Sequence, residues 1–235
     1  MKKFSRMIGS ILLSVLLASP CISQGFHYDG PEDNKWFFAI GWSKDGKRLA
    51  YGRYKNEQSP VSDERICNMS VVIQDIVKDS TLWVNAKDWS SSDSDFPQSA
   101  KQAWLYFDNL SHINEEVWRH GIEVVSPDAM INEVSGNTIY LENDLLTVDT
   151  KVFENDNEYF KKFEVRVTSK NLGEKVITSG EIPHYREGIT LEGYMFNPDK
   201  SRMALILSEV GGAEYDPQYF IVGCHLRAGF IMTGK

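Results

Sequence analysis

Motifs that mark the common classes of enzyme are missing from this 235-residue sequence. It has no Gly-x-Ser-x-Gly nucleophile motif, no His-Glu-x-x-His zinc motif, no Cys-x-x-Cys pair and no glycine-rich phosphate or dinucleotide loop. The sequence therefore contains no motif that would indicate a serine hydrolase, a zinc protease, a thiol oxidoreductase or a nucleotide-dependent enzyme. The sequence predicts no catalytic residue and no cofactor.

Long apolar runs are missing beyond the N-terminus. There, the basic residues Lys2, Lys3 and Arg6 precede the apolar stretch 7–18, and small residues follow it. This order is typical of a secretion signal, and we expect residues 1–23 to be removed by cleavage after Ser23. A membrane anchor is the alternative, but it needs about 18 or more consecutive apolar residues, and this run is shorter.

Cys21 raises a second alternative, because lipoproteins are acylated on a Cys that follows their signal. A small residue normally stands before that Cys, and here Pro20 occupies the place. We therefore favour cleavage over lipidation at Cys21. The mature chain is then expected in the periplasm or outside the cell.

Positive charge is scarce in the expected mature chain, residues 24–235. It contains 22 basic and 33 acidic side chains, a formal charge of −11. Nucleic acids and anionic membranes are bound by clustered Lys and Arg, so neither is an expected partner. No segment after the signal is long and apolar enough to be predicted to span a bilayer. The length fits a single domain. The expected partner is an envelope or extracellular protein, or a small ligand.

The first part of the mature chain has the composition of β structure. Apolar, aromatic and β-branched residues predict four strands at 36–42, 49–54, 71–77 and 81–84, with a polar loop over 55–68. Four antiparallel strands in about 50 residues match the size of one propeller blade.

The middle of the chain predicts one helix. Residues 88–98 are rich in Ser and Asp, and we interpret them as a linker that leads into a helix near 98–120, which Gly121 ends. The linker resembles a calcium loop only in its Asp spacing, since the Gly and Glu of that motif are missing. Three- and four-residue steps predict a core-facing stripe made of Ala100, Ala103, Trp104, Phe107, Leu110, Ser111, Val117 and Trp118.

Strands return in the C-terminal half of the chain. They are predicted at 138–142, 163–168, 175–178, 189–196, 202–207 and 218–222. Phe163, Val165 and Val167 alternate with polar residues, which predicts a sheet with one face in water.

Two segments, 42–51 and 196–205, share one pattern. Each reads as the end of a strand, a tight turn that contains Asp45 or Asp199, and a second strand that begins with Arg and an apolar pair. An Asp side chain can brace such a turn by accepting from nearby backbone N–H groups. Both segments are therefore predicted to be β-hairpins.

Three residues distinguish the two hairpins. Trp42 is expected to anchor the first strand in the core, and Gly46 is expected to supply the positive φ of the first turn. Lys200 stands where the second turn would need a Gly. The second turn should therefore be weaker, or should hold Lys200 at an unfavourable φ.

The shared pattern resembles the strand-turn-strand of TolB-type, WD-like β-propeller repeats, whose usual form is Phe/Trp-Ser-Pro-Asp-Gly-Lys/Arg followed by apolar residues. The resemblance implies a propeller-like scaffold. The order of signal, early hairpin, mid-chain helix and late hairpin also resembles a family of predicted secreted bacterial proteins of unknown function. That family has no known activity to transfer.

His112, Glu116 and His120 form the most metal-like group in the sequence, because helical spacing places them on one helix face. We favour an exposed polar face opposite the Trp104–Phe107 stripe, since His on such a face needs no ligand role. The carboxylates Glu142 and Asp144 could suggest a glycosidase, but they lie in an acidic turn.

Cys67 and Cys224 remain as a pair once Cys21 leaves with the signal. Export favours oxidation, and a disulfide between them is possible if the two ends of the chain meet. The alternative is two buried free thiols, which are common core residues.

Taken together, these patterns predict a mainly β protein of antiparallel meanders, propeller-like, with one prominent helix. The function we expect is that of an exported, non-enzymatic binding module on a β scaffold. The alternative is a secreted hydrolase, or a metal-dependent enzyme that uses the face of His112, Glu116 and His120.

Overall fold

The computed structural model describes residues 36–58, 63–107, 110–124, 131–134, 136–154, 159–211 and 218–232. The predicted signal, residues 1–23, lies outside these ranges. Within them the chain forms these elements: β1 Phe37–Ser43, β2 Arg48–Gln58, β3 Arg65–Asp75, β4 Ser80–Ser90, α1 Ala100–Leu105, α2 Leu110–Arg119, β5 Ile122–Val124, β6 Asn132–Glu133, β7 Thr138–Tyr140, β8 Leu145–Phe153, β9 Phe160–Ser169, β10 Gly173–Pro183, β11 Arg186–Phe196, β12 Arg202–Gly211 and β13 Gln218–His225.

The described strands form three antiparallel sheets. Sheet 1 has the order β4-β3-β2-β1-β5, sheet 2 the order β13-β12-β11-β6, and sheet 3 the order β10-β9-β8-β7. Each sheet is built on a meander, in which strands that follow one another in the chain also pair. The prediction of a mainly β protein with antiparallel meanders is therefore confirmed.

The sheets and helices stack in four layers. The helices cover one face of sheet 1, the other face of sheet 1 packs on sheet 2, and sheet 3 packs on the far face of sheet 2. Sheet 2 is therefore covered on both sides, and its inner strand β12 contains the continuous apolar run 203–207. Ala204 and Ile206 face sheet 1, while Met203, Leu205 and Leu207 face sheet 3.

Sheet 3 has only one covered face. Val165 and Val167 of β9 are fully buried against sheet 2, while Glu164 and Arg166 are partly exposed. The Arg166 guanidinium bonds Glu164 and Glu174 on that outer surface. The predicted sheet with one face in water is thus confirmed.

Strand β13 forms an edge of sheet 2, and three of its backbone groups are bonded to sheet 1. Side chains of sheet 1 and of its β3–β4 turn reach them. Arg53 Nη1 donates to the carbonyl of Tyr219 at 3.5 Å, Gln74 Nε2 donates to that of Ile221 at 3.1 Å, and Asp79 Oδ1 accepts from Gly223 N–H at 2.8 Å.

The predicted loop over 55–68 is wrong for most of its length. Strands β2 and β3 pair from Arg48 with Asp75 out to Gln58 with Arg65, so most of these polar residues lie in a long hairpin. Residues 63–66 of this hairpin are exposed, and an exposed strand does not need apolar side chains. The predicted linker 88–98 also begins too early, because β4 continues to Ser90 and buries Trp89.

The single helix predicted near 98–120 is two helices. Helix α1 is capped at its start by Ser99, whose hydroxyl accepts from Gln102 N–H, and it ends at a C-cap on Tyr106. Asp and Asn follow in the sequence at positions 108 and 109, and both residue types disfavour helix interiors. Neither described helix is long and apolar enough to cross a membrane.

The predicted core stripe of the helical segment is correct in part. Ala100, Ala103, Trp104 and Phe107 are buried against sheet 1, but Trp118 is 74 % exposed. The buried residues of α2 are Ile113, Glu116 and Val117, so spacing extrapolated from α1 misplaces part of α2. Strand β8 was not predicted at all, although its Leu146 and Val148 alternate with polar neighbours and are buried.

Candidate ligand-binding cleft

Several turns meet at one end of the stacked sheets, and the β1–β2 turn is one of them. Gly46 N–H donates to the carbonyl of Ser43 at 2.8 Å, and Gly46 has the predicted positive φ, 65°. Ser43 Oγ accepts from Arg48 N–H at 2.9 Å and donates to Asp45 Oδ1 at 2.6 Å. Asp45 Oδ1 also accepts from Lys47 N–H. The side chains of Ser43 and Asp45 thus hold the backbone of this turn.

The β11–β12 turn repeats this arrangement with different residues. Lys200 N–H donates to the carbonyl of Asn197 at 2.9 Å, and Arg202 N–H donates to Asn197 Oδ1 at 2.8 Å. Asn197 Nδ2 donates to Asp199 Oδ1, which also accepts from Ser201 N–H. Lys200 occupies the position of Gly46 and has a φ of 52°, the unfavourable conformation that the sequence indicated.

The two turns touch each other. A Cβ placed on Gly46 would lie 2.0 Å from Asn197 Nδ2, and Asn197 is only 2 % exposed. The sheet 1 turn therefore packs against the base of the sheet 2 turn. Lys200 at the tip of the sheet 2 turn remains exposed, on the side that faces sheet 3.

A cleft of about 420 Å³ lies between the turns of sheet 2 and those of sheet 3. Its volume is within the range of roughly 300–1,000 Å³ that is usual for ligand pockets. Residues from both sheets line it: Phe196, Lys200, Leu226 and Arg227 from sheet 2 and the segment after β13, and Tyr140, Leu141, Glu142, Asn143, Asp144, Asn171 and Leu172 from the turns of sheet 3.

The sheet 3 wall of the cleft is held by hydrogen bonds within its two turns. Asp144 Oδ2 accepts from Ser169 Oγ, and Asp144 Oδ1 accepts from Leu145 N–H at 2.8 Å. Asn171 Nδ2 donates to the carbonyl of Asn143 at 2.8 Å, which ties the β9–β10 turn to the β7–β8 turn. The wall is therefore fixed before any ligand arrives.

The sheet 2 wall is fixed in a similar way. Leu226 N–H donates to the carbonyl of Ser201, and Arg227 N–H donates to His225 Nδ1 at 3.1 Å. Burial lowers the pKa of His225, and nearby cations lower it further, so its imidazole is neutral and can accept at neutral pH. Lys175 of sheet 3 donates to the carbonyls of His225 and Ala228, which joins the two walls below the cleft.

The three helix residues considered as the alternative metal group, His112, Glu116 and His120, do not converge. His120 Nε2 lies 3.8 Å from Glu116 Oε2, but His112 packs edge-on against Trp83 and faces Glu115. In the part of the chain that the structure describes, no group of three or more His, Cys, Asp or Glu could hold a metal ion.

The favoured exposed face is also wrong for Glu116, which is 5 % exposed, although Arg119 donates to it. Burial lowers the pKa of His120, and the Arg48 charge lowers it further.

Both cysteines are free and buried. Cys67 belongs to the core between the helices and sheet 1, and Cys224 to the core between sheets 2 and 3. Of the two alternatives, the structure therefore has the pair of free thiols. Burial raises the pKa of Cys67 to about 11 and also raises that of Cys224, so both are protonated and unreactive at neutral pH.

The sequence did not predict the cleft. Trp42, Asp45, Gly46 and Asp199 take structural positions, with Trp42 buried and the other three in the two turns. The cleft residues that the sequence did mark are Lys200, a Lys at a position suited to Gly, and the carboxylate pair Glu142 and Asp144. Comparison with protein-family models, with curated proteins and with solved structures gave no match for this chain.

Proposed function

We propose that this chain is an exported, non-enzymatic binding module and that its ligand or partner binds in the cleft between the turns of sheets 2 and 3. The observation that carries the proposal is the cleft itself: about 420 Å³, open to solvent, with apolar and charged side chains on walls fixed by hydrogen bonds. A fixed wall loses little conformational entropy on binding, which favours affinity.

The scaffold of this module is an open stack of blade-like meanders related to propeller repeats. Two features support this part of the proposal. The β1–β2 and β11–β12 turns share one hydrogen-bond scheme, and the sheets that carry them pack face to face with their turns in contact. The N-terminal sequence supports export.

Photocrosslinking in the producing cell tests whether the cleft is used. Tyr140 lines the cleft and is 77 % exposed, so p-benzoylphenylalanine at this position should form a discrete adduct with whatever binds there. Tyr159 is the matched control, because it is 73 % exposed and precedes β9 at the opposite end of sheet 3.

The expected result is an adduct from position 140 that position 159 does not give. Equal labelling from the two positions, or none from position 140, would exclude the cleft as the binding site. Sequencing the N-terminus of the exported protein tests the location separately, since export predicts a chain that begins at residue 24.

A further inference from the structure

The two walls of the cleft carry opposite charges, and from this we infer that the ligand is a zwitterion of peptide type. Lys200 and Arg227 supply the cations on the sheet 2 wall, and Glu142 and Asp144 supply the carboxylates on the sheet 3 wall. This inference rests on the proposed function of the cleft and names the chemical class of its ligand. The ligand carries an anionic group, a cationic group and an apolar portion.

The charges on the two walls do not neutralise each other. Among the described residues, no ion pair joins Lys200 or Arg227 to Glu142 or Asp144. The Asp144 carboxylate already accepts two hydrogen bonds from its own turns, which leaves exposed Glu142 as the acid available to a ligand. A ligand with its carboxylate towards Lys200 and Arg227 and its ammonium towards Glu142 satisfies both walls at once.

The comparison of the two turns gives a second reason to assign Lys200 to a ligand. Gly46 and Lys200 occupy the same position in the same hydrogen-bond scheme, and both have positive φ. Gly46 packs against Asn197, while Lys200 lies on the cleft. A non-glycine residue is strained at this φ, and such residues are concentrated at binding sites.

The apolar part of the cleft lining suits an apolar side chain. Tyr140 and Phe196 line the cleft from opposite walls, and the buried Leu226 also lines it. Aromatic and aliphatic side chains bind apolar groups by removing their surface from water. An amino acid or short peptide with an aromatic side chain combines this portion with both charges.

Four forms of one dipeptide test the ligand class by isothermal titration calorimetry at pH 7. They are Phe-Phe, its N-acetylated form, its C-amidated form and the form blocked at both ends. All four share one apolar body. At this pH Phe-Phe carries both charges, the N-acetylated form only the anion, the C-amidated form only the cation, and the doubly blocked form neither. We expect the free dipeptide to bind up to about fivefold more tightly than either singly blocked form, since an exposed ion pair contributes up to about fivefold in affinity.

Two substitutions assign the charges to their walls. Lys200→Gln should weaken binding of the two forms with a free carboxylate, Phe-Phe and its N-acetylated form, on the order of fivefold. It should leave binding of the C-amidated form unchanged. Glu142→Gln should weaken binding of Phe-Phe and the C-amidated form and leave binding of the N-acetylated form unchanged. Lys162→Gln is the matched control, because Lys162 is exposed on sheet 3 but does not line the cleft.

Each remaining outcome overturns the inference. Equal binding of all four dipeptides, or equal weakening by Lys200→Gln and Lys162→Gln, would mean that charge does not select the ligand. Lack of binding by all four would exclude a peptide-type zwitterion. In each of these cases the crosslink from position 140 would still show, independently, whether the cleft is a binding site.

Discussion

The β1–β2 and β11–β12 turns share one hydrogen-bond scheme, and they place different residues at the position of positive φ. In both turns a backbone N–H donates to the carbonyl three residues earlier. In both, a polar side chain accepts from the N–H of the Arg that begins the second strand, and an Asp side chain accepts from the N–H two residues further on. Gly46 takes the left-handed conformation in one turn, and Lys200 takes it in the other. The shared hydrogen bonds, rather than the residue at this position, therefore set the backbone conformation.

The difference between the turns follows from what each one touches. Gly46 lies against the buried Asn197 side chain, and no larger residue fits there. Lys200 projects from the tip of its turn towards the cleft, where a side chain has room. One turn position is thus fixed by packing, and the other is free to carry a functional side chain.

The largest effect is expected from Gly46→Val. The Val Cβ would collide with Asn197 Nδ2, and a β-branched residue also resists a φ of 65°. We expect a loss of about 3 kcal/mol or more in the free energy of unfolding, measured by urea denaturation. Lys200→Val is the control and should cost about 1 kcal/mol, because it adds only β-branching at an exposed site. Equal losses would show that φ alone, and not the contact between turns, constrains Gly46.

A smaller loss is expected from Asn197→Ala. This change removes the buried Asn197 amide, which accepts from Arg202 N–H and donates to Asp199. We expect a cost of about 2 kcal/mol in the free energy of unfolding. Asn197→Ser introduces the residue type that the first turn uses at Ser43 and should recover about half of the loss. If the Ser variant is no more stable than the Ala variant, the two turns are not equivalent in energy.

Lys200→Gly should stabilise the protein. It removes the strain of a non-glycine residue at φ 52° but raises the entropy of the unfolded chain, for a net gain of about 0.5–1 kcal/mol. The thermal midpoint measured by calorimetry should rise. Lys44→Gly, in the first turn but without a positive φ, should not raise it. A Lys200→Gly variant no more stable than the natural chain would argue against strain at this position.

The smallest effect concerns pH. The hydrogen bond from Ser43 chiefly lowers the pKa of Asp45 below its ordinary value, and Ser201 does the same for Asp199. A lowered folded-state pKa gives stability that is present above about pH 4 and is lost as pH falls through the lowered pKa. Unfolding experiments between pH 6 and pH 3 should show a shallower decline for Asp45→Asn and Asp199→Asn than for the natural chain. An unchanged slope would mean that neither carboxylate is linked to folding.

The sequence predicted the local features of the fold well. The two hairpins, the positive φ of Gly46 and the unfavourable φ of Lys200 all depend on a few adjacent residues, and all are confirmed. The long β2–β3 hairpin and the break between α1 and α2 were missed. Pairing between strands can hold a polar segment in β conformation, and a single periodic pattern does not reveal that a helical segment forms two helices.

The cleft was not predictable because its walls are distant in the sequence. Tyr140 and Glu142 come from a turn of sheet 3, while Lys200 and Arg227 come from sheet 2, and only the stacking of the two sheets brings them together. Neither Tyr140 nor Arg227 belongs to a recognisable motif. Lys200 carried a signal because it breaks a turn pattern that the first hairpin establishes.

The contacts that sheet 1 makes along β13 have a consequence for self-association. An open edge strand offers unpaired N–H and C=O groups that can template a strand of another molecule, which is a common route to aggregation. Arg53, Gln74 and Asp79 occupy such groups on β13, and Ile231 pairs with Glu174 at the start of the outer strand of sheet 3. These contacts therefore occupy part of both edges, and the layers that build the core also limit the pairing of those edges with another copy of the chain.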